Sequence, residues 1–222
     1  YKMSNTKMNT KKFYDYMVKY KVKSGQKRTH TSMGKPYGSY NIKNETRFFN
    51  LYNKALKEKA HLHIVEVHKD CGPIIIDIDI LQNESQRNYN IETIILILKK
   101  YNEIITKYVN TSTLDYNIFV TEKKQPTKKN DKFKDGFHCL YPEIIIDTEL
   151  QYIIRYEVVE FFKQNDSLKN LNIINDYEDI FDRAVIEQTG WLLYGSCKPD
   201  YNPYVLTYVF DNNLKQINIK NY

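Results

Sequence analysis

The segment Pro73-Ile74-Ile75-Ile76-Asp77-Ile78-Asp79-Ile80 admits few folded arrangements. An isoleucine-rich run of this length reads as a buried strand. Side chains alternate along a strand, so Ile74, Ile76, Ile78 and Ile80 turn toward a core. Asp77 and Asp79 then share the opposite face. Two carboxylates that close repel each other unless positive charge lies between them. Mg²⁺ and Mn²⁺ are the hard cations that favour such oxygen ligands. Two unrelated surface acids are the plainer alternative, but Asp is depleted in strands and a pair inside an isoleucine run needs a reason.

At 222 residues the chain can bury a sizeable core, as one domain or two small lobes. It begins with Tyr1, and we expect it to be a piece of a longer protein. No apolar run reaches the length of a membrane span and no signal pattern opens the chain, so no membrane partner is expected. Cys71, Cys139 and Cys197 form neither a zinc spacing nor a disulfide framework, which points to a reducing compartment. The net charge of +6 conceals an asymmetry: residues 1–30 hold nine Lys or Arg and one acid, Asp15. This stretch is read as a basic amino-terminal segment, with the body of the protein in residues 31–222. A second cluster, Lys123, Lys124, Lys128, Lys129, Lys132 and Lys134, lies in a Pro- and Asn-containing stretch expected to be a loop. Basic segments beside a slightly acidic body suit a polyanion such as DNA. A solvated lysine loop is the bland alternative. The 20 tyrosines could stack on bases, although most are expected in the core.

Periodicity predicts helices over residues 9–23, 45–59, 91–109 (capped by Asn90) and 148–164. Strands are expected at Ser39–Ile42, His61–His68, Asp115–Glu122, Gly136–Tyr141, Trp191–Gly195 and Tyr204–Phe210, besides the Asp77/Asp79 strand. The turn Lys69-Asp70-Cys71-Gly72-Pro73 suggests that His61–His68 forms a hairpin with that strand. Hairpins mixed with long helices argue an α+β fold, with antiparallel sheet and helices on one face.

Three more pieces line up with Asp77 and Asp79. His138, in Asp135-Gly136-Phe137-His138-Cys139-Leu140, sits on a strand with core-facing neighbours, and a histidine there can donate to a phosphate. Asp182, in Phe181-Asp182-Arg183-Ala184-Val185, is a third candidate carboxylate. Leu193-Tyr194-Gly195-Ser196-Cys197-Lys198-Pro199 puts small residues before a lysine, which lets backbone and ammonium approach an anion. Each is weak alone; a lone histidine is more often structural, and the last is also a plain strand-to-loop turn.

In this order (Asp-x-Asp, then x-His, then Asp, then Gly-Ser-x-Lys) the chain resembles the catalytic domain of archaeo-eukaryotic primases. More narrowly, it resembles the amino-terminal primase domain of primase-helicases of poxviruses and other large DNA viruses. The matching segments span about residues 61–210. The resemblance implies an RRM-like antiparallel-sheet catalytic core with an N-terminal α/β lobe. It implies templated two-metal nucleotidyl transfer that makes or extends primers on single-stranded DNA. Asp77, Asp79 and Asp182 would be the catalytic residues and would hold Mg²⁺ or Mn²⁺. His138, Lys198 and Ser196 would bind the nucleoside triphosphate. A helicase domain would follow in the full protein, which would act inside the host cell in a viral replication compartment. Two positions depart from the family pattern. Gly136 stands where relatives usually have a small hydroxyl residue. Trp191, Leu192 and Leu193 stand where relatives often carry an Arg, so a nucleotide-binding cation is expected from elsewhere, with Arg47, Lys35 and Arg183 as candidates. Gly34 to Ile42 resembles the region lining the incoming nucleotide.

Two other classes compete. His61-Leu62-His63, with Tyr194 and Lys198, fits the motifs of rolling-circle replication endonucleases. Their tyrosine sits on a helix, which Gly195 and Pro199 oppose here. A non-catalytic module binding single-stranded DNA would use the basic and aromatic residues alone, leaving the carboxylates unexplained.

Overall fold

The computed structural model describes residues 8–221. In chain order the first elements are α1 (Met8–Lys19), β1 (Lys21–Val22), β2 (His30–Ser32), β3 (Gly38–Tyr40), α2 (Glu45–Lys57), β4 (Ile64–Glu66) and β5 (Cys71–Gln82). Then come α3 (Ile91–Tyr108), β6 (Asn117–Glu122), β7 (Thr127–Lys129), β8 (Lys132–Asp147) and α4 (Thr148–Asn165). The last are α5 (Tyr177–Ile180), α6 (Ala184–Glu187), β9 (Trp191–Leu192), β10 (Val205–Asp211) and β11 (Gln216–Ile217). The chain is a mixture of helices and antiparallel sheets. The described residues divide into two compact units, one running up to His68 and including Gly190–Pro203, the other made of Lys69–Thr189 and the residues from Tyr204 on.

The first unit carries a five-stranded sheet in the order β1-β3-β2-β4-β9. Phe13, Tyr16 and Met17 of α1 are buried with Phe48, Tyr52 and Ala55 of α2 and with Tyr40, Leu62 and Ile64. Asn44 caps α2 by accepting from the Arg47 backbone N–H at 2.9 Å. Helix α1, within the basic amino-terminal stretch, thus packs into this unit through Phe13, Tyr16 and Met17; residues 1–7 lie outside the described residues. The expected hairpin of His61–His68 with the Asp77/Asp79 strand does not form. β4 pairs with β2 and β9, while β5 pairs with β8 in the other sheet. The Gly-Pro turn at residues 72–73 misled because β5 already begins at Cys71 and bulges at Pro73/Ile74 instead of turning.

The second unit is a sheet in the order β11-β10-β6-β8-β5, with β7 added to β8. Ile74, Ile76, Ile78 and Ile80 of β5 face a core shared with Ile118 and Val120 of β6 and Phe137 and Cys139 of β8. Helices α3 and α4 cover that face with Ile94, Ile97, Leu98, Tyr101, Ile104 and Ile105, and with Ile154, Val158, Val159 and Phe162. Asn90 and Asp147 cap the two helices through the Thr93 and Leu150 backbone N–H groups, at 3.1 Å and 2.7 Å. The lysine stretch is less of a loop than expected: β7 and the start of β8 form a tight hairpin, pairing Lys129 with Lys132 and Thr127 with Lys134. Lys134 thus lies on a strand, in alternation with Gly136 and His138.

Candidate active site

The pleat sets the site. Along β5 the isoleucines take the helix-covered face, so Asp77 and Asp79 emerge together on the other. On β8 the same alternation brings up Lys134, Gly136 and His138. Register places Asp77 opposite His138 and Asp79 opposite Gly136, and Thr121 of β6 opposite His138 on its far side.

Asp182 arrives from beyond the other edge of β5. Phe181 makes an antiparallel bridge to Ile78, and the Asp182 backbone N–H donates to the Asp77 carbonyl at 3.0 Å. Phe181 is buried against Tyr101 and Phe162. Arg155 of α4 fixes the segment, donating to the Phe181 carbonyl at 2.6 Å and to the Glu178 carbonyl and carboxylate at 2.8 Å each. The Asp182 carboxylate accepts from the Ala184 N–H at 2.9 Å, which turns the chain into α6. The result is that single carboxylate oxygens of Asp77, Asp79 and Asp182 all lie within 4.8 Å of one another.

Charge in this cluster is poorly balanced. Asp77 is largely enclosed; burial and the neighbouring carboxylates of Asp79 and Asp182 push it up to about 8. Its Oδ1 is buried and has no hydrogen-bond partner. His138 Nε2 lies 3.4 Å from that oxygen without the direction a hydrogen bond needs. A buried carboxylate oxygen without a donor, beside two further carboxylates, fits a hard divalent cation, and an all-oxygen set suits Mg²⁺ or Mn²⁺ over softer metals. Lys134 reaches Asp79 Oδ2 at 2.6 Å. Lys123 lies near enough to feel Asp79 and Asp77, although its burial pushes its ammonium down from the ordinary value. The imidazole of His138 stacks on the ring of Tyr204, centroids 3.8 Å apart and planes 20° from parallel.

Gly136 has a structural reason for departing from the family pattern. Its φ is +142°, and a Cβ there would run into the Ile78 carbonyl oxygen. No hydroxyl side chain fits where β8 closes on Asp79. Below it, Arg87 donates to Asp135 Oδ2 at 2.8 Å and to Glu122 Oε1 at 2.7 Å, tying β6 to β8 with two buried carboxylates. Tyr89 donates to the Gly136 carbonyl at 3.1 Å.

Ser196 and Lys198 lie in the first unit. Ser196 is buried, its hydroxyl bonded to the Ile64 N–H at 3.0 Å and to the Tyr52 hydroxyl at 2.8 Å. Its side chain therefore holds a turn together. Lys198 is exposed. Of the cations proposed to replace the family's Arg, Arg47 lies 5.6 Å from the Tyr16 ring centroid and Arg183 5.5 Å from that of Tyr152, while Lys35 is exposed. Among the described residues, Lys134 and Lys123 of the lysine-rich stretch lie beside the carboxylates.

The competing histidine motif gains no site. His63 Nδ1 lies 2.7 Å from the Cys197 carbonyl, and His61 is exposed. Among the described residues, Asp77, Asp79 and Asp182 are the one group with metal-holding geometry. Tyr194 stands on a turn beside Gly195, whose φ is +83°, instead of on a helix.

Sequence patterning does not assign Arg155, Lys134 or Tyr204 to the carboxylate site. Arg155 left a trace, a cation inside the apolar stripe Ile154, Val158, Val159 and Phe162. Lys134 left one as well, two residues from Gly136 and four from His138. Tyr204 was one tyrosine among 20.

A family model describing the N-terminal AEP (archaeo-eukaryotic primase) domain of the C962R protein matches residues 29–210. A protein of Acanthamoeba polyphaga mimivirus named as a candidate helicase, L207/L206, is 39% identical over 209 residues, covering 90% of this chain and 22% of its own length. Candidate helicases 121R of Invertebrate iridescent virus 3 and 184R of Invertebrate iridescent virus 6 are each 25% identical, covering 86% of this chain and 22% of theirs. The chain thus spans about a fifth of the length of these relatives. Among the described residues, no helix is long and apolar enough to cross a membrane.

Proposed function

Because this chain belongs to the family of C962R-type N-terminal AEP domains, we propose that it is the primase-polymerase part of a viral replication protein. It joins nucleotides on a single-stranded DNA template, making or extending primers. The observation that carries this reading is the convergence of Asp77, Asp79 and Asp182 around one buried oxygen that lacks a donor.

The three carboxylates would hold the divalent cations, with Asp77 and Asp79 side by side on β5 and Asp182 bridged in from the chain after α5. Bound there, Mg²⁺ or Mn²⁺ would supply Lewis-acid stabilisation of the attacking 3′-oxygen and of the departing pyrophosphate. His138 presents its imidazole beside Asp77, where it can donate to a phosphate oxygen. Lys134 and Lys123 bring positive charge to the same face. Ser196 contributes to the turn ahead of Lys198, and Lys198 is retained as a triphosphate contact on the family resemblance. The name helicase carried by the three relatives, and the fifth of their length that this chain spans, support a helicase portion elsewhere in the full protein.

The test is incubation of the chain with single-stranded template, labelled nucleotides and Mn²⁺, with and without a primer. Synthesis should disappear in Asp77→Ala and in Asp79→Ala. The loss of several kcal/mol of charge stabilisation predicts a fall of at least about a hundredfold. Near wild-type synthesis by Asp77→Ala would sink the reading.

A further inference from the structure

His138 has a companion that the chemistry just described does not use. Tyr204 immediately precedes β10, whose Val205 and Leu206 lie opposite Glu122 and Thr121 of β6. Thr121 in turn lies opposite His138, so this end of β10 reaches the acidic face of the sheet. There the Tyr204 ring lies almost flat on the imidazole, at 3.8 Å between centroids and 20° between planes. The Lys123 ammonium stands 5.9 Å from the centroid of the same ring. Tyr204 therefore has an imidazole and a cation as neighbours, both of them beside the carboxylate cluster.

This arrangement limits the histidine. Rotation about the Cβ–Cγ bond of a histidine is soft, because that torsion has broad wells. A flat partner removes the freedom: the imidazole cannot turn without leaving the tyrosine face. In its observed plane, Nε2 lies 3.4 Å from Asp77 Oδ1. Burial, and then the carboxylates of Asp77, Asp79 and Asp135, push the Tyr204 hydroxyl far above its ordinary range, so the ring stays neutral throughout the working pH. A neutral aromatic face also accommodates a positively charged imidazole and the Lys123 ammonium.

We propose that Tyr204 is a positioning residue that holds the His138 imidazole edge toward Asp77 and the nucleotide phosphates. This rests on the proposed function for its substrate. The ring does the positioning and the hydroxyl is dispensable.

The test compares wild type with Tyr204→Phe, Tyr204→Leu, His138→Ala and the Tyr204→Leu/His138→Ala double variant. Nucleotide KM and kcat are measured on a primed template with Mn²⁺, nucleotide binding is measured by calorimetry, and thermal unfolding serves as the fold control. Tyr204→Phe should stay within about twofold of wild type. Tyr204→Leu should raise KM about tenfold with a smaller change in kcat, and the double variant should be no worse than His138→Ala alone, the non-additivity of groups acting as one unit. An unchanged KM in Tyr204→Leu, or full additivity with His138→Ala, overturns the proposal. A wild-type chain that binds nucleotide but turns none over would defeat the proposed function and leave positioning to be judged from the binding cycle. A wild-type chain that binds none overturns both.

Discussion

The Asp182 backbone N–H donates to the Asp77 carbonyl at 3.0 Å. One main-chain hydrogen bond thus sets the spacing between two acidic side chains from distant parts of the sequence. The segment carrying Asp182 is a single bridge on the free side of β5, and Arg155 anchors it from α4. Metal-holding geometry here depends on a helix residue that touches no ligand.

Arg155→Lys should weaken Mn²⁺ binding and lower the unfolding temperature, and Arg155→Met should do both more strongly. The methionine leaves the Phe181 and Glu178 carbonyls without their charged donor. Loss of hydrogen bonds to a charged group predicts about 3 kcal/mol. Calorimetric Mn²⁺ titration together with thermal unfolding checks this. Unchanged metal affinity in a folded Arg155→Lys protein would show that the bridge holds Asp182 unaided.

Asp77 makes stability depend on pH in a defined direction. Its folded-state value is about 8, above the ordinary aspartate value near 4. Between those limits the unfolded chain has lost a proton that the folded chain keeps, so stability falls as pH rises through the window. Asp77→Asn removes the titration. In chelator, the variant should unfold at nearly the wild-type temperature near pH 4 and at a higher temperature near pH 8. A gap that shrinks as pH rises would contradict the assignment. Mn²⁺ binding at pH 7 should also release a proton, seen as a heat that varies with the ionisation enthalpy of the buffer.

Gly136→Ala tests how tightly β8 closes on Asp79. The positive φ and the collision with the Ile78 carbonyl predict a loss of at least about 1–3 kcal/mol. For a chain of this size, each kcal/mol corresponds to about 2–4 °C in unfolding temperature. Gly72→Ala, where nothing lies within 4 Å of the added methyl, should change the temperature little. Equal effects of the two substitutions would remove the steric explanation for glycine at 136.

The β7–β8 hairpin carries Lys128 and Lys129 on β7 and Lys132 at the start of β8, the strand that holds Lys134. Changing these three to Gln should weaken single-stranded DNA binding about equally for all sequences. If each lysine meets a phosphate, the slope of log affinity against log salt should fall by about 2 in magnitude. Fluorescence anisotropy over a salt series measures it. An unchanged slope would leave the lysines as solvated surface.

Much of this protein was written locally. The isoleucine alternation around Asp77 and Asp79, the Asn90 cap and the apolar stripes of the long helices follow from short-range periodicity and backbone satisfaction, which a single segment contains. The family order of Asp77/Asp79, His138 and Asp182 was legible for the same reason, since each motif is a few residues long. What tertiary structure alone decided was which segments meet. β4 left β5 for another sheet because strand pairing is settled by competition among distant partners, and the turn at Gly72-Pro73 could not report on that competition. The Ser196 hydroxyl accepts from the Ile64 N–H of β4, a pairing that no local pattern around Gly195-Ser196 contains. Lys134 and Tyr204 joined the acidic face only because strand pairing set Lys134 diagonally across from Asp79 and the start of β10 beside Thr121, itself opposite His138. Periodicity tells a side chain which face of its own strand it occupies; only the packed sheet tells it which charges it will stand beside.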